Sequence, residues 1–445
     1  MMVNFVGGRA QAEYMARVSD LPQGRCLVVA VDVGKHSAMG LIADHCGQII
    51  GAPIDFELTL PGAGVLELAI RSAVDDRDAA SVRVGIEAAG HYHRALAATL
   101  RERGLDVVEL NPYQVKLARG QMGQARIKTD LRDCMAMAEL LVRGQGWPLR
   151  AEETAMAEQR AWVAHRRRKL QAIKALGAQI HALADTAFPG LTGCFTSGLE
   201  SPTLRMLLAT MPDPARVAEL DVPALVRHAA AHGRRMLRPK AAQVIAAARD
   251  AMCVPEAPRA IAARLLVSER AQYETLLEDL AIADHELAAL LPCTPAGVLL
   301  SVPGIGPVTA SYYGAALGDP HRFKNADAAW RYAGLAPTSY ESAGRRGPAR
   351  ISKIGSVELR QAAIALGAGV AQHHADFTAY KQRLREAGKR PMVAAIATAH
   401  RVHRLAFALM RSQQPYDTER WNAAVSAGQE RSRPATTTHR AAHTT

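Results

Sequence analysis

Two aspartates, Asp130 and Asp133, stand three apart in R-I-K-T-D-L-R-D-C-M-A-M-A-E-L-L, residues 126–141. The run that follows has helical apolar spacing, and residues i and i+3 share one helix face. The pair therefore sits side by side at a helix head, near the positive end of its dipole. Carboxylates aimed at one point suit a hard divalent cation such as Mg²⁺. Capping is the plain alternative, with Asp130 as N-cap and Asp133 as its N3 partner. Two acids upstream weigh for the metal. Asp32 and Glu87 each fall near the end of an apolar run, where an unpaired carboxylate is costly to bury. Their own plain alternatives are a strand-end cap for Asp32 and an arginine partner for Glu87.

The elements around these acids follow from periodicity. Residues 26–33 (C-L-V-V-A-V-D-V) read as a buried strand, 37–44 and 48–55 as two more, 82–88 as a fourth and 105–110 as a fifth. Helices are expected over 62–74 and 91–103, the second closed by Gly104. Three strands followed by alternating helix and strand indicate a mixed sheet covered by helices, in an order that suits a ribonuclease-H-like domain. Asp32 and Glu87 then lie near carboxyl ends of strands, where sites form in open α/β sheets.

The segments I-E-A-A-G-H-Y, V-E-L-N-P-Y-Q-V-K and K-T-D-L-R-D resemble the N-terminal domain of the insertion-sequence-110 family of transposases. These are the DEDD transposases with a RuvC-like fold. The resemblance maps Asp32, Glu87, Asp130 and Asp133 onto the family's metal-binding tetrad, with Mg²⁺ or Mn²⁺ as the implied ion. Gly90, Asn111, Pro112, Lys128 and Thr129 also match, and Lys128 is expected to contact nucleic acid. Cys134 departs from the usual alanine after the second aspartate but is small enough to fit.

Composition sets the class of partner. The chain has 445 residues, enough for two to four domains, and is 49% hydrophobic and 22% charged, as globular proteins are. Its 54 lysines and arginines exceed 42 acids for a net charge of +12, which points to a polyanionic partner, nucleic acid first and an anionic membrane surface as the alternative. The six cysteines form no C-x-x-C pair, so neither a zinc site nor a disulfide framework is indicated, and a reduced cytoplasm fits. No signal-peptide pattern opens the chain. Residues 297–318 are uncharged and long enough to span a bilayer, but Pro303, Pro307 and the glycines make them a buried turn between helices.

The middle of the chain reads as two long helices, 152–187 and 257–291, flanking short ones. Leu265, Tyr273, Leu276, Leu280 and Leu287 supply the apolar spacing of the second, and the two suggest an antiparallel coiled-coil arm. The family resemblance implies such an insertion. The cluster H-R-R-R-K at 165–169 is either a phosphate-tracking face or an ordinary solvated one.

Further on, V-P-G-I-G at 302–306 reads as a helix-hairpin-helix turn, with Gly304 and Gly306 letting the backbone approach a phosphate. Residues 332–360 are glycine-rich, through Gly334, Gly344, Gly347 and Gly355, and therefore expected to be flexible. They are also basic, through Arg345, Arg346, Arg350, Lys353 and Arg360. By composition Ser342 within them is a turn serine. Yet G-L-A-P, Y-E-S-A-G, R-I-S-K-I-G and E-L-R resemble the second conserved domain of the same family, and on that resemblance Ser342 is the nucleophile, with Ser339 and Ser352 as fallbacks. The register is open by a residue, because Ala343 separates Ser342 from Gly344.

The expected layout is an N-terminal extension (1–24), a RuvC-like catalytic domain (25–145), a helical coiled-coil region (146–292), a mainly helical C-terminal transposase domain (293–412) and a basic disordered tail (413–445). Family membership implies a dimer or tetramer that uses a structured guide RNA to choose its DNA. Three rivals stand beside it. V-D-V-G-K-H at 31–36 resembles the phosphate loop of an actin-like sugar kinase, which has no use for K-T-D-x-x-D. The others are a DNA-binding protein with an idle acidic site and a site-specific DNA invertase of the same family.

Overall fold

The computed structural model describes residues 9–22, 24–88, 91–122, 129–148, 154–338, 341–342, 345–346 and 350–423. The chain divides into two compact units, Met1–Ala151 and Glu152–Thr445.

The first unit is built on six strands: β1 (Cys26–Val33), β2 (Ser37–Asp44), β3 (Ile54–Glu57), β4 (Ser81–Glu87), β5 (Asp106–Leu110) and β6 (Trp147–Pro148). Their order is β3-β2-β1-β4-β5-β6. The first three form an antiparallel meander, β4 and β5 add in parallel to β1, and β6 closes the far edge antiparallel. Five helices accompany the sheet: α1 (Arg9–Ser19), α2 (Leu60–Arg77), α3 (His93–Glu102), α4 (Pro112–Gln121) and α5 (Asp130–Val142).

The β1 side chains alternate between two cores, as a strand covered on both faces requires. Leu27, Val29 and Val31 join α2 and α3, whereas Val28 and Ala30 join α4 and α5. The third strand is shorter and later than expected: residues 48–50 make only an isolated antiparallel bridge to β2, Ala43 with Ile49, and regular pairing begins at Ile54. The N-terminal extension contributes α1, whose Tyr14 and Val18 bury against Cys26.

The second unit carries α6 (Thr154–Ala187), α7 (Pro202–Thr210), α8 (Pro214–Ala218), α9 (Val222–Ala231), α10 (Arg238–Arg249) and α11 (Glu256–Leu290), then α12 (Pro307–Leu317), α13 (Ala326–Tyr332), α14 (Val357–His373), α15 (Ala375–Glu386) and α16 (Pro391–Ser412). Helices α6 and α11 pack along each other, and α7 to α10 share their core. On α11 it is Leu266 that is buried, while Leu265, expected in the apolar stripe, is 46% exposed.

The middle and C-terminal regions, expected as separate domains, share one unit. Gln159 on α6 hydrogen-bonds Thr294 at 3.2 Å, and Arg166 reaches Tyr312 on α12. The basic cluster at 165–169 explains part of this. Arg166 pairs with Asp284, Lys169 with Asp279 and Arg167 with Glu358. Three of the five residues in the cluster thus face protein carboxylates, and Arg168 is exposed.

Residues 413–423, expected within a disordered tail, pack in order. Trp421 stacks on Phe377 at 5.3 Å, and the Tyr416 hydroxyl lies 2.7 Å from His374 Nε2. Residues 424–445 lie outside the described residues.

Candidate active site

Strand register brings the first two acids together. In the parallel β1–β4 pair Val31 faces Ile86, so Asp32 and Glu87, one residue further, finish neighbouring strands at their carboxyl ends. Alternation sets their face. Asp32 follows Ala30, which lies in the α5-side core. Glu87 follows Gly85, where an added Cβ would lie 2.5 Å from Leu141 of α5. Both carboxylates therefore belong to the face that α5 covers.

The head of α5 adds the second pair. Thr129 is its N-cap and accepts from the Arg132 N–H at 3.3 Å. The capping alternative for Asp130 is thus overturned: the threonine hydroxyl does that work, and Asp130 and Asp133 occupy the first turn with their carboxylates spared from it. Asp130 is exposed and Asp133 is buried at 2%. Asp133 Oδ1 accepts from Arg119 Nη1 in a mostly buried ion pair.

Cys134 shows that these acids share one neighbourhood. Its thiol is fully buried and donates to the carbonyl of Met39 at 3.3 Å, and Met39 pairs across the sheet with Asp32. Burial raises its pKa to about 12. The carboxylates of Asp32, Asp130 and Asp133 push it in the same direction, against a hydrogen bond from the Asp32 backbone.

The donor set, oxygen-only and carboxylate-rich, fits a hard divalent ion. Among the described residues no group of three or more His, Cys, Asp and Glu closes to ion-holding distance. Arg119 was not foreseen, and a lone arginine in the last turn of α4 carries no sequence signal. Asn111 and Pro112, matched to the family pattern, start that helix: Asn111 Oδ1 accepts from the Tyr113 N–H at 2.8 Å and Pro112 takes the first helical position. Lys128 lies outside the described residues.

In the second unit Ser342 sits in a nested ribbon. Strand β7 (Pro337–Thr338) pairs with β10 (Arg350–Ile351), and inside them β8 (Glu341–Ser342) pairs with β9 (Arg345–Arg346). The register puts Ser342 directly opposite Arg345 and Glu341 opposite Arg346. Ser339, Gly344 and Gly347 lie outside the described residues. Ser352 stands at the ribbon base, its N–H given to Ala336.

The base of the ribbon is fixed, contrary to the expectation of a flexible glycine-rich loop. Gly355 has φ +138°, and a Cβ there would meet the Tyr332 carbonyl at 2.2 Å; Gly334 has φ +66° and packs on Ile354 and Arg360. Arg360 donates to the carbonyls of Ala333 and Lys353 at 3.0 and 3.1 Å, so this cation, expected on phosphate, braces the base. Lys353 and Arg350 are exposed.

The turn at 302–306 differs from the expected hairpin on its leading side, where a 3₁₀ segment, Pro295–Ser301, precedes it. Gly304 has φ +89°, and a Cβ there would lie 2.7 Å from the Gly369 carbonyl of α14. Its glycine is accounted for by packing within the protein. Gly306 caps α12 with open space beside it.

Two family models match this chain in order. One, described as Transposase and built on DEDD transposases of IS110 type, covers residues 29–189; the other, Transposase IS116/IS110/IS902 family, covers 296–382. The chain belongs to the IS110 family of transposases. It is 29% identical over 283 residues to a Streptomyces coelicolor protein named for transposition of the IS117 mini-circle, across 60% of this chain and 66% of that one. It is 30% identical over 144 residues to the pilin gene-inverting protein of Moraxella bovis and 29% to that of Moraxella lacunata, each across 30% of this chain and 44% of the relative. The chain thus spans less than two thirds of the length of each of these relatives. The stretch matched by the first model includes the positions of all four acids, and that matched by the second includes Ser342. Among the described residues no helix is long and apolar enough to cross a membrane.

Proposed function

We propose that this protein is a DNA transposase or recombinase of a mobile element, with a RuvC-like first unit and a serine nucleophile in the second. The observation that carries the reading is the strand register that ends β1 and β4 with Asp32 and Glu87 side by side on the face covered by α5, the helix that opens with Asp130 and Asp133. The meander followed by parallel β4 and β5 supports the ribonuclease-H-like assignment.

In this reading Asp32, Glu87, Asp130 and Asp133 hold Mg²⁺ or Mn²⁺, which when bound would offset charge building on a phosphate. Ser342 Oγ forms a bond to phosphorus as a bridging ester oxygen leaves, and the hydroxyl proton passes to solvent or a base. Arg345, opposite it in the ribbon, and Arg346 and Arg350 hold the phosphate through paired N–H donors. The reading further includes a structured guide RNA, a dimer or tetramer, a cytoplasmic setting and phosphate contact at the Gly306 end of the helix-hairpin-helix-like turn.

The test is a denaturing gel for the protein–DNA adduct together with a recombination assay. Ser342→Ala and Asp130→Asn should each remove both signals. Recombination surviving in Ser342→Ala would move the nucleophile to Ser339 or Ser352, and then to water. Sequencing of copurifying RNA tests the guide: a discrete structured species supports it and random cellular RNA refutes it. Inversion of a DNA segment is the second reading, favoured by the two pilin gene-inverting relatives. An assay on paired sites in inverted orientation separates it from transposition.

A further inference from the structure

A second basic surface lies away from the serine ribbon in sequence, where α15 turns into α16. Residues 381–391 read K-Q-R-L-R-E-A-G-K-R-P, with five cations against one acid. That acid, Glu386, accepts from Gln382 at 3.0 Å. Several cations elsewhere in this unit, Arg166, Lys169 and Arg205 among them, are spent on protein carboxylates. Among the described residues Lys381, Arg383, Arg385, Lys389 and Arg390 enter no such pair, and four of the five are exposed.

The fold shapes part of this charge into a groove of about 490 Å³. One wall is a stripe of α15, Thr378, Lys381, Gln382 and Arg385, at spacings i, i+3, i+4 and i+7 that share a helix face. The opposite wall is the start of α16, with Pro391, the exposed Met392 and Ala395, and Ala371 of α14 lines the groove as well. That helix runs 22 residues, and no side chain caps its start, so its positive dipole end adds to the field. Arg385 Nη1 donates to the Lys389 carbonyl at 2.8 Å, which holds the turn against the stripe.

We propose that this groove is a contact surface for the sugar–phosphate backbone of duplex DNA, in addition to the serine ribbon. Unpaired cations facing an uncapped helix start recognise phosphate without reading sequence. The inference rests on the reading that DNA is the substrate, and it concerns binding, not strand cleavage.

The experiment is fluorescence anisotropy of the full chain on a random-sequence duplex across a salt series. Each phosphate contact contributes about 0.9 to the log–log salt slope. The triple variant Lys381→Gln, Arg385→Gln, Lys389→Gln should therefore reduce the slope by about 2 to 3 and weaken low-salt binding at least tenfold. Because Arg385 also holds the turn, the double variant Lys381→Gln, Lys389→Gln, which keeps that hydrogen bond, is read beside it: its melting temperature should match the parent's and its slope should fall by about 2. A control triple, Arg234→Gln, Arg235→Gln, Arg238→Gln, removes equal charge from another exposed stretch and should leave the slope near that of the parent. Equal losses in both triple variants, or an unchanged slope in the first, overturn the proposal. So does a loss confined to structured RNA with duplex binding unmoved. A parent chain that binds no duplex at any salt would instead overturn the DNA-substrate reading itself.

Discussion

Removing the guanidinium from Arg119 tests the acidic site directly. Asp133 has 4% of its side chain exposed and Arg119 has 19%, and they form a buried pair. Deleting one partner of such a pair costs about 3–5 kcal/mol, because the remaining charge is stranded away from water. Arg119 keeps some solvent contact, so the lower end, about 3 kcal/mol, is the better figure for Arg119→Ala. For a unit of this size that lowers the melting temperature by about 6–12 °C. Scanning calorimetry of the full chain in EDTA reads it. Two companions give the result its meaning. Adding Asp133→Asn to Arg119→Ala removes the stranded charge and should restore most of the loss. Millimolar Mg²⁺ should stabilise Arg119→Ala more than the parent, since cation and guanidinium compete for one carboxylate. A melting temperature within a degree of the parent, or a double variant no better than the single one, would falsify the account.

Three further outcomes follow from other parts of the fold. Burial lowers the pKa of His403 to about 4, its Nε2–H donating to the Ala326 carbonyl and its Nδ1 accepting from Tyr313. The folded value lies below the ordinary 6.5, so stability is complete above that pH. About 3 kcal/mol is lost as pH falls toward 4; urea midpoints should show this slope, and His403→Gln should flatten it. Gly355→Ala forces a Cβ into the Tyr332 carbonyl at positive φ and should cost more than about 2 kcal/mol. Gly64→Ala, in open space within α2, should stay neutral or stabilise slightly by the same melting assay. Iodoacetamide at pH 8 followed by mass spectrometry should label exposed Cys46 and Cys293 and spare buried Cys26 and Cys134; rapid labelling of Cys134 would contradict its packing against Met39.

Features with local causes were legible in the sequence, and those with distant partners were not. Strands β1 and β2 appear over the expected residues because a valine-rich run and a period-two pattern need nothing beyond themselves. The long helices begin and end within two residues of expectation for the same reason. The head of α5 was readable as a helix start, but not that Thr129 would take the capping role from Asp130. Arg119 could not be connected to Asp133 from spacing, since the link depends on how two helices meet. The same holds for the cations at 166, 167 and 169, whose carboxylate partners lie more than a hundred residues away. Gly334 and Gly355 look flexible by composition and are rigid by contact. A glycine is chosen as often for what presses on it as for how freely it turns.

Charge also sets the register of the α6–α11 pair. Its contacts Arg166–Asp284 and Lys169–Asp279 behave like the teeth of a ratchet. Sliding one helix by a turn would leave each cation facing the wrong residue, whereas a purely apolar seam tolerates such slips more readily. At 34 residues α6 is about 50 Å long. The two paired helices thus form a spacer of about that length within the second unit.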